Sequence, residues 1–229
     1  MSTKYDLKYF TSWYEAREDD REAISKANLD LVLKRKKAVE KVLDVGCAYG
    51  QFLKVCENQG LKIFGIDVSE FALEKAKKNT RAKLFKLDAS KIRWPIDDAS
   101  LDVVTAFDLV EHLPSCELFF SEAFRVLKKG GLLFYTTPNG ESLVGKLLGK
   151  FIADDPTHIN KHGPKYWQAK IKKFGFNNVE ILGTLIYGFP PTTKFRNKLR
   201  KQKFPVLIRP VLVSFLPLTT TLFIFAGKP

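Results

Sequence analysis

The stretch Lys41-Val-Leu-Asp-Val-Gly-Cys-Ala-Tyr-Gly50, followed by Ile63-Phe-Gly-Ile-Asp67, decides the fold. An apolar run that ends in Asp44-x-Gly46-x-x-x-Gly50 reads as a buried strand turning through glycines into a helix. Glycines there let the backbone come close to a ligand, and a helix start offers N–H groups. The second run ends in Asp67, an acid placed like the one that takes ribose hydroxyls in nucleotide-binding α/β folds. A pyrophosphate loop needs Gly-x-Gly-x-x-Gly, whereas this loop is Gly-x-x-x-Gly with an acid just ahead of it. An acid in that place repels phosphate and suits an ammonium or a sulfonium.

Outward from this stretch, apolar segments alternate between strand and helix patterns, as a parallel sheet with helices on both faces requires. The expected strands are Val42–Val45, Ile63–Ile66, Lys83–Leu87, Leu101–Phe107, Leu132–Thr137, Asn178–Ile186 and Thr221–Ala226. Between them, Phe52, Leu53 and Cys56 mark one helix that Gly60 ends, and Ser69 caps another through Lys78. Phe120, Ala123, Phe124 and Leu127 line a third, with Gly130-Gly131 expected to close it. A short helix is expected over Leu143–Phe151, a further one over Tyr166–Phe174, and helical spacing also runs from Ala23 to Val39.

The order of motifs resembles the class I S-adenosylmethionine-dependent methyltransferases over residues 41 to about 180. The resemblance implies a Rossmann-like α/β fold: a seven-stranded, mostly parallel sheet with an antiparallel last strand. It implies that Asp44, Gly46 and Gly50 wrap the methionine part of S-adenosylmethionine and that Asp67 holds its ribose. Asp88 then lies beside the adenine, with Ala89 supplying backbone contacts, and Phe107 in Ala106-Phe-Asp-Leu-Val-Glu-His-Leu-Pro114 floors the site. Phe124-Arg-Val-Leu-Lys-Lys-Gly-Gly-Leu-Leu133 is similar to the family's next helix–turn–strand. The expected product is S-adenosylhomocysteine.

A sulfonium methyl is already activated, so few catalytic groups are needed beyond alignment and exclusion of water. A hydroxyl acceptor gains from a base, and His158 and His112 are the candidates, with His162 a third. His158 lies in Asp154-Asp-Pro-Thr-His-Ile-Asn160, which resembles a loop in the branch that makes ubiquinone, menaquinone and other natural products. Its imidazole is expected to accept a proton near neutral pH. Beyond Asp154-Asp155 there is no carboxylate cluster for a magnesium ion, so no metal site is expected.

The chain has 229 residues and 45% hydrophobic content, enough for one domain with a buried core. Its expected parts are an N-terminal helical cap (1–40), a cofactor-binding core (41–187), an insertion (188–218) and a last strand (219–229). Cys47, Cys56 and Cys116 fit neither a disulfide framework nor a CxxC zinc site and read as buried small hydrophobes. Without an apolar leader after Met1-Ser-Thr-Lys-Tyr-Asp, a cytoplasmic location is expected.

The net charge is +13, and no acidic residue follows Glu180. The insertion carries cations from Lys194 to Lys203, then the apolar run Phe204-Pro-Val-Leu-Ile-Arg-Pro-Val-Leu-Val-Ser-Phe-Leu-Pro-Leu. Its prolines and Arg209 argue against a membrane span, which needs about 20 apolar residues. A short broken helix over the active site, or one in peripheral contact with a membrane surface, fits better. Nucleic acid is not favoured as a partner, since position 107 onward reads Phe-Asp-Leu-Val instead of the Asn/Asp-Pro-Pro-Tyr/Phe of amino-methylating enzymes. The expected acceptor is a small or lipid-like molecule. An RNA or protein methyltransferase, and a non-catalytic cofactor-binding subunit, are the alternatives; neither acceptor identity nor oligomeric state is legible.

Overall fold

The computed structural model describes residues 9–10, 18–148, 155–184, 188–189, 207–208, 210–214 and 216–229. Strands β1 (Lys41–Val45), β2 (Lys62–Asp67) and β4 (Leu101–Phe107) are near-continuous apolar runs, as strands covered on both faces must be. With β3 (Lys83–Lys86) and β5 (Leu127–Pro138) they pair in parallel. The chain closes with β6 (Asn177–Thr184) and β7 (Thr221–Gly227), β7 lying antiparallel between β5 and β6. The strand order 3-2-1-4-5-7-6 reverses beside β1, which opens a crevice at the carboxyl ends of β1 and β4.

Alternation along each strand divides the core into two layers. Leu43, Val104, Leu133 and Ile224 meet Phe119, Phe120 and Ala123 of α4 (Glu117–Val126) and Trp167 and Ile171 of α6 (Pro164–Lys173). On the opposite face Val42, Val103, Phe134 and Phe225 meet Leu29 and Val32 of α1 (Glu18–Arg35) and Phe52, Leu53 and Cys56 of α2 (Gln51–Glu57). Leu73 of α3 (Glu70–Asn79) joins this second layer. All three cysteines are buried and unpaired with one another.

Two expectations need correction. Gly130-Gly131 does not close α4, which ends at Val126; Leu127 is already extended and pairs with Leu101. Leu127 is fully buried, and an extended backbone keeps it in the core. The glycines sit in an excursion before Leu132 regains register with Val103, and Lys228 hydrogen-bonds to both. The insertion, where described, holds no α-helix. Gly188–Phe189 pairs with Leu207–Ile208, Val213 bridges Gly183 at the sheet edge, and Leu216–Leu218 forms a 3-10 turn. The rest of 188–218, Asp154 and the end of the helix expected over 143–151 lie outside the described residues; α5 covers Leu143–Leu148.

Candidate functional site

The loop from β1 into α2 has positive φ at Gly46 (78°), Ala48 (45°) and Gly50 (76°). Gly46 and Cys47 both donate their N–H to the Ile66 carbonyl, at 2.7 and 3.0 Å, which folds the loop onto the end of β2. The left-handed backbone at Gly46 calls for glycine, and a Cβ there would also press on Leu109, 3.1 Å from its Cδ1.

Two buried acids converge on this loop. Asp44 pairs in register with Thr105 of β4, whose hydroxyl donates to Asp44 Oδ1 at 2.8 Å. Burial pushes the Asp44 carboxyl up to about 7, against the Thr105 hydrogen bond and aided by the Asp67 charge. Asp67 accepts from the N–H of Ala48 at 2.9 Å and of Ser69 at 2.8 Å, so it ties the loop to the start of α3. Burial raises its carboxyl too, opposed by those backbone donors and by Val68.

Asp88, just past β3, is turned toward its own chain. It accepts from Ser90 N–H at 3.0 Å and Ser90 Oγ at 2.7 Å, and Lys91 Nζ lies 3.1 Å away. Partial burial would raise this carboxyl, but the Ser90 and Lys91 contacts outweigh it and hold the group below its usual range. Ala89 is buried, its carbonyl accepting from Trp94 Nε1 at 3.3 Å. Phe107 lies edge-on to Phe52 and Phe134, at 4.9 and 5.2 Å between centroids, and is half-buried against the second core layer.

The histidine side is built from two segments distant in sequence. After β4 the chain makes a 3-10 turn, Val110–His112, and the Glu111 carbonyl accepts from Ile159 N–H and Asn160 N–H at 2.8 and 2.9 Å. Asn160 Nδ2 also donates to the Leu113 carbonyl. His158 is thereby held with its ring 4.7 Å from that of His112. His112 is buried, and burial, with His158 beside it, lowers its pKa to about 4. His162 does not join them; it stacks on Tyr166 at 3.7 Å. Gly140 anchors the same loop by donating to the His162 carbonyl at 3.1 Å. A Cβ at Gly140 would sit 2.6 Å from the Lys161 carbonyl oxygen, which is backbone and cannot swing aside. Gly140→Ala should therefore cost about 1–3 kcal/mol. Urea unfolding checks this, and an unchanged midpoint would show that the loop is not held here.

Several residues of the site escaped the sequence reading. Thr105 was legible in principle, as a hydroxyl inside the otherwise apolar stretch Val103–Phe107 of β4. Thr157 and Asp155 lie in the loop quoted for His158, but nothing in the sequence shows that they order the His112 side. Nor does the sequence mark Phe10, which is buried and stacks on Tyr49 of the glycine loop at 5.2 Å, with Tyr9 edge-on to His112.

A family model described as a methyltransferase domain matches residues 16–181. A probable S-adenosylmethionine-dependent methyltransferase of Mycolicibacterium smegmatis is 34% identical over 101 residues, 43% of this chain and 38% of that protein. A ubiquinone biosynthesis O-methyltransferase of Pelagibacter ubique is 32% identical over 102 residues, 43% of this chain and 42% of the relative. The chain thus spans less than half the length of these relatives. A crystal structure from Thermotoga maritima, described as an S-adenosylmethionine-dependent methyltransferase and possible histamine N-methyltransferase, superposes with a TM-score of 0.70. It covers 97% of this chain and 98% of that one at 20% identity, a likeness of fold.

Proposed function

The chain belongs to this methyltransferase-domain family, and from that premise we propose that it transfers the methyl group of S-adenosylmethionine to a small-molecule or lipid-like acceptor. The observation that carries the reading is the convergence of Asp44 and Asp67, both buried, on a loop with three positive φ angles. Two acids in a low-dielectric crevice suit a ligand that carries a cationic centre and a diol.

Asp44, Gly46 and Gly50 are assigned to the methionine end and Asp67 to the ribose. Asp88, Ala89 and Phe107 are assigned to the adenine side, although Asp88 must share its carboxylate with Ser90 and Lys91. When bound, the donor supplies a methyl group already activated by its sulfonium. The protein's part is to align the acceptor, to keep water out and to make the acceptor a nucleophile. Phe10 stacks on Tyr49 of the loop, and His112 and His158 are assigned to activation of the acceptor. The division into cap, core, insertion and last strand is proposed with the same roles, residues 188–218 acting as a substrate lid or peripheral membrane contact. No helix among the described residues is long and apolar enough to cross a membrane.

Methyl-labelled donor incubated with metabolite, lipid and bulk RNA extracts tests this. Label is expected in the metabolite or lipid fraction, and His158→Ala should lower its transfer roughly 10²–10⁴-fold with cofactor affinity unchanged. Label in RNA alone would replace the acceptor class, and label in no fraction would leave a cofactor-binding subunit. Native turnover in His158→Ala would reduce that histidine to a loop anchor.

A further inference from the structure

Glu111 stands out among the buried polar groups. It is 0% exposed, and neither carboxylate oxygen has a hydrogen-bond partner of ordinary geometry among the described residues. The Thr137 hydroxyl faces it as a weak donor, outside ordinary hydrogen-bond geometry. Buried unpartnered carboxyls are costly and rare, and a missing ion is one of the few reasons for keeping one.

The surroundings point to a cation. Glu111, His112 and His158 each offer a ligand atom, and these atoms all lie within 4.8 Å of one another. Asp108 and Asp155 add negative charge near Glu111, in a chain whose net charge is +13. The hydrogen bonds of Thr157 also fix which nitrogen of His112 is a ligand. The Thr157 hydroxyl sits 2.6 Å from Asp155 Oδ1, a carboxylate that can only accept, so its proton points there. Its oxygen is then an acceptor for His112 Nδ1–H at 2.9 Å, which leaves the lone pair on Nε2. A hydrogen bond from the other ring nitrogen is the usual support of a metal-binding imidazole, and Thr157 receives it here.

We propose that Glu111, His112 and His158 bind one divalent transition-metal ion. Two imidazoles and one carboxylate suit zinc, iron(II), manganese or cobalt, and disfavour magnesium, which prefers oxygen. Bonds of about 2.0–2.1 Å are expected from the ion to each of the three ligand atoms. The expectation that this chain lacks a metal site is replaced by this reading.

The use of the ion rests on the methyltransferase reading; the site itself does not. A hydroxyl acceptor that ligates the ion would lose its proton to solvent. Its oxygen then forms the new O–CH₃ bond while the S–CH₃ bond breaks, with the electron pair left on sulfur. The acceptor class this favours is a phenol or enol, with the two histidines acting through the ion instead of taking the proton themselves.

Untagged protein, stripped with a chelator, is titrated with zinc(II) and separately with cobalt(II). One equivalent per chain is expected, with the visible absorption of a low-coordinate cobalt site and a rise in unfolding temperature that millimolar magnesium does not reproduce. Glu111→Gln and His158→Ala, each checked for folding by circular dichroism, should bind at least tenfold more weakly. Absence of stoichiometric binding, or equal affinity in both variants, overturns the proposal. Cofactor calorimetry on the same samples separates the readings: a chain that binds S-adenosylmethionine but no metal sinks this inference alone.

Discussion

Asp67→Ala should bind S-adenosylmethionine at least tenfold more weakly than the native chain. The Asp67 carboxylate already works in the fold, accepting from Ala48 in the glycine loop and from Ser69 at the head of α3. Its removal frees the loop at one end while Ile66 still holds Gly46 and Cys47 at the other. If the ribose hydroxyls bind here as proposed, two further charge-assisted hydrogen bonds are lost. A hydrogen bond to a charged group is worth about 1.5–3 kcal/mol, and about 1.4 kcal/mol is a factor of ten. One such bond therefore suffices for the predicted loss. Asp67→Asn, which keeps one acceptor oxygen and the size, should fall between. Isothermal calorimetry on both variants decides the matter, with thermal unfolding as the check that the sheet is intact. Native affinity in Asp67→Ala would end the assignment of the ribose to this residue.

The legible part of this molecule is the part whose cause is local. The run ending at Asp44 is apolar because β1 is buried on both faces, and the glycine spacing reports a turn that the φ angles of Gly46 and Gly50 bear out. Ser69 reads as a helix cap, and its hydroxyl accepts from Ala72 N–H at 3.3 Å. Trp167 and Ile171, four apart, read as a helix face and are fully buried. What failed depended on partners far along the chain. Leu127 looked helical because it continues the spacing of Phe120 and Phe124; pairing with Leu101 draws it into β5. Asp88 is a different case: its contacts with Ser90 and Lys91 are local, a strand-end acid does not reveal which way its carboxylate turns, and its assignment to the adenine stays a proposal. The meeting of Glu111 and His112 with His158 spans more than 40 residues and is set by backbone bonds from Ile159 and Asn160 to the Glu111 carbonyl. A reading by motif sees Glu111 and His112 in one loop and His158 in another; their meeting becomes visible only when the loops are brought together.

Asp44 should make stability, and then cofactor binding, depend on pH near neutrality. An unfolded aspartate titrates near 3.8, whereas burial raises Asp44 to about 7 in the fold. Between these values the folded chain holds a proton that the unfolded chain has released, so each step up in pH favours unfolding. The stabilising contribution is whole below about 3.8 and is lost as pH rises through about 7. The slope is at most about 1.4 kcal/mol per pH unit, and the whole effect about 4 kcal/mol. Asp67, also raised, adds to this slope, while His112, lowered to about 4, opposes it below neutrality. The clean observable is therefore the difference between the native chain and Asp44→Asn. That difference should favour the variant increasingly as pH rises from 5 to 8 in urea unfolding of the cofactor-free protein. A cationic ligand beside Asp44 favours its charged form, so cofactor binding near pH 6 should release a proton and tighten toward pH 8. Calorimetry in two buffers of different ionisation heat counts that proton. Asp44→Asn should release none and should bind weakly at every pH. If the native chain also releases none, the sulfonium does not lie against Asp44, and the raised carboxyl is only a consequence of its burial beside Thr105.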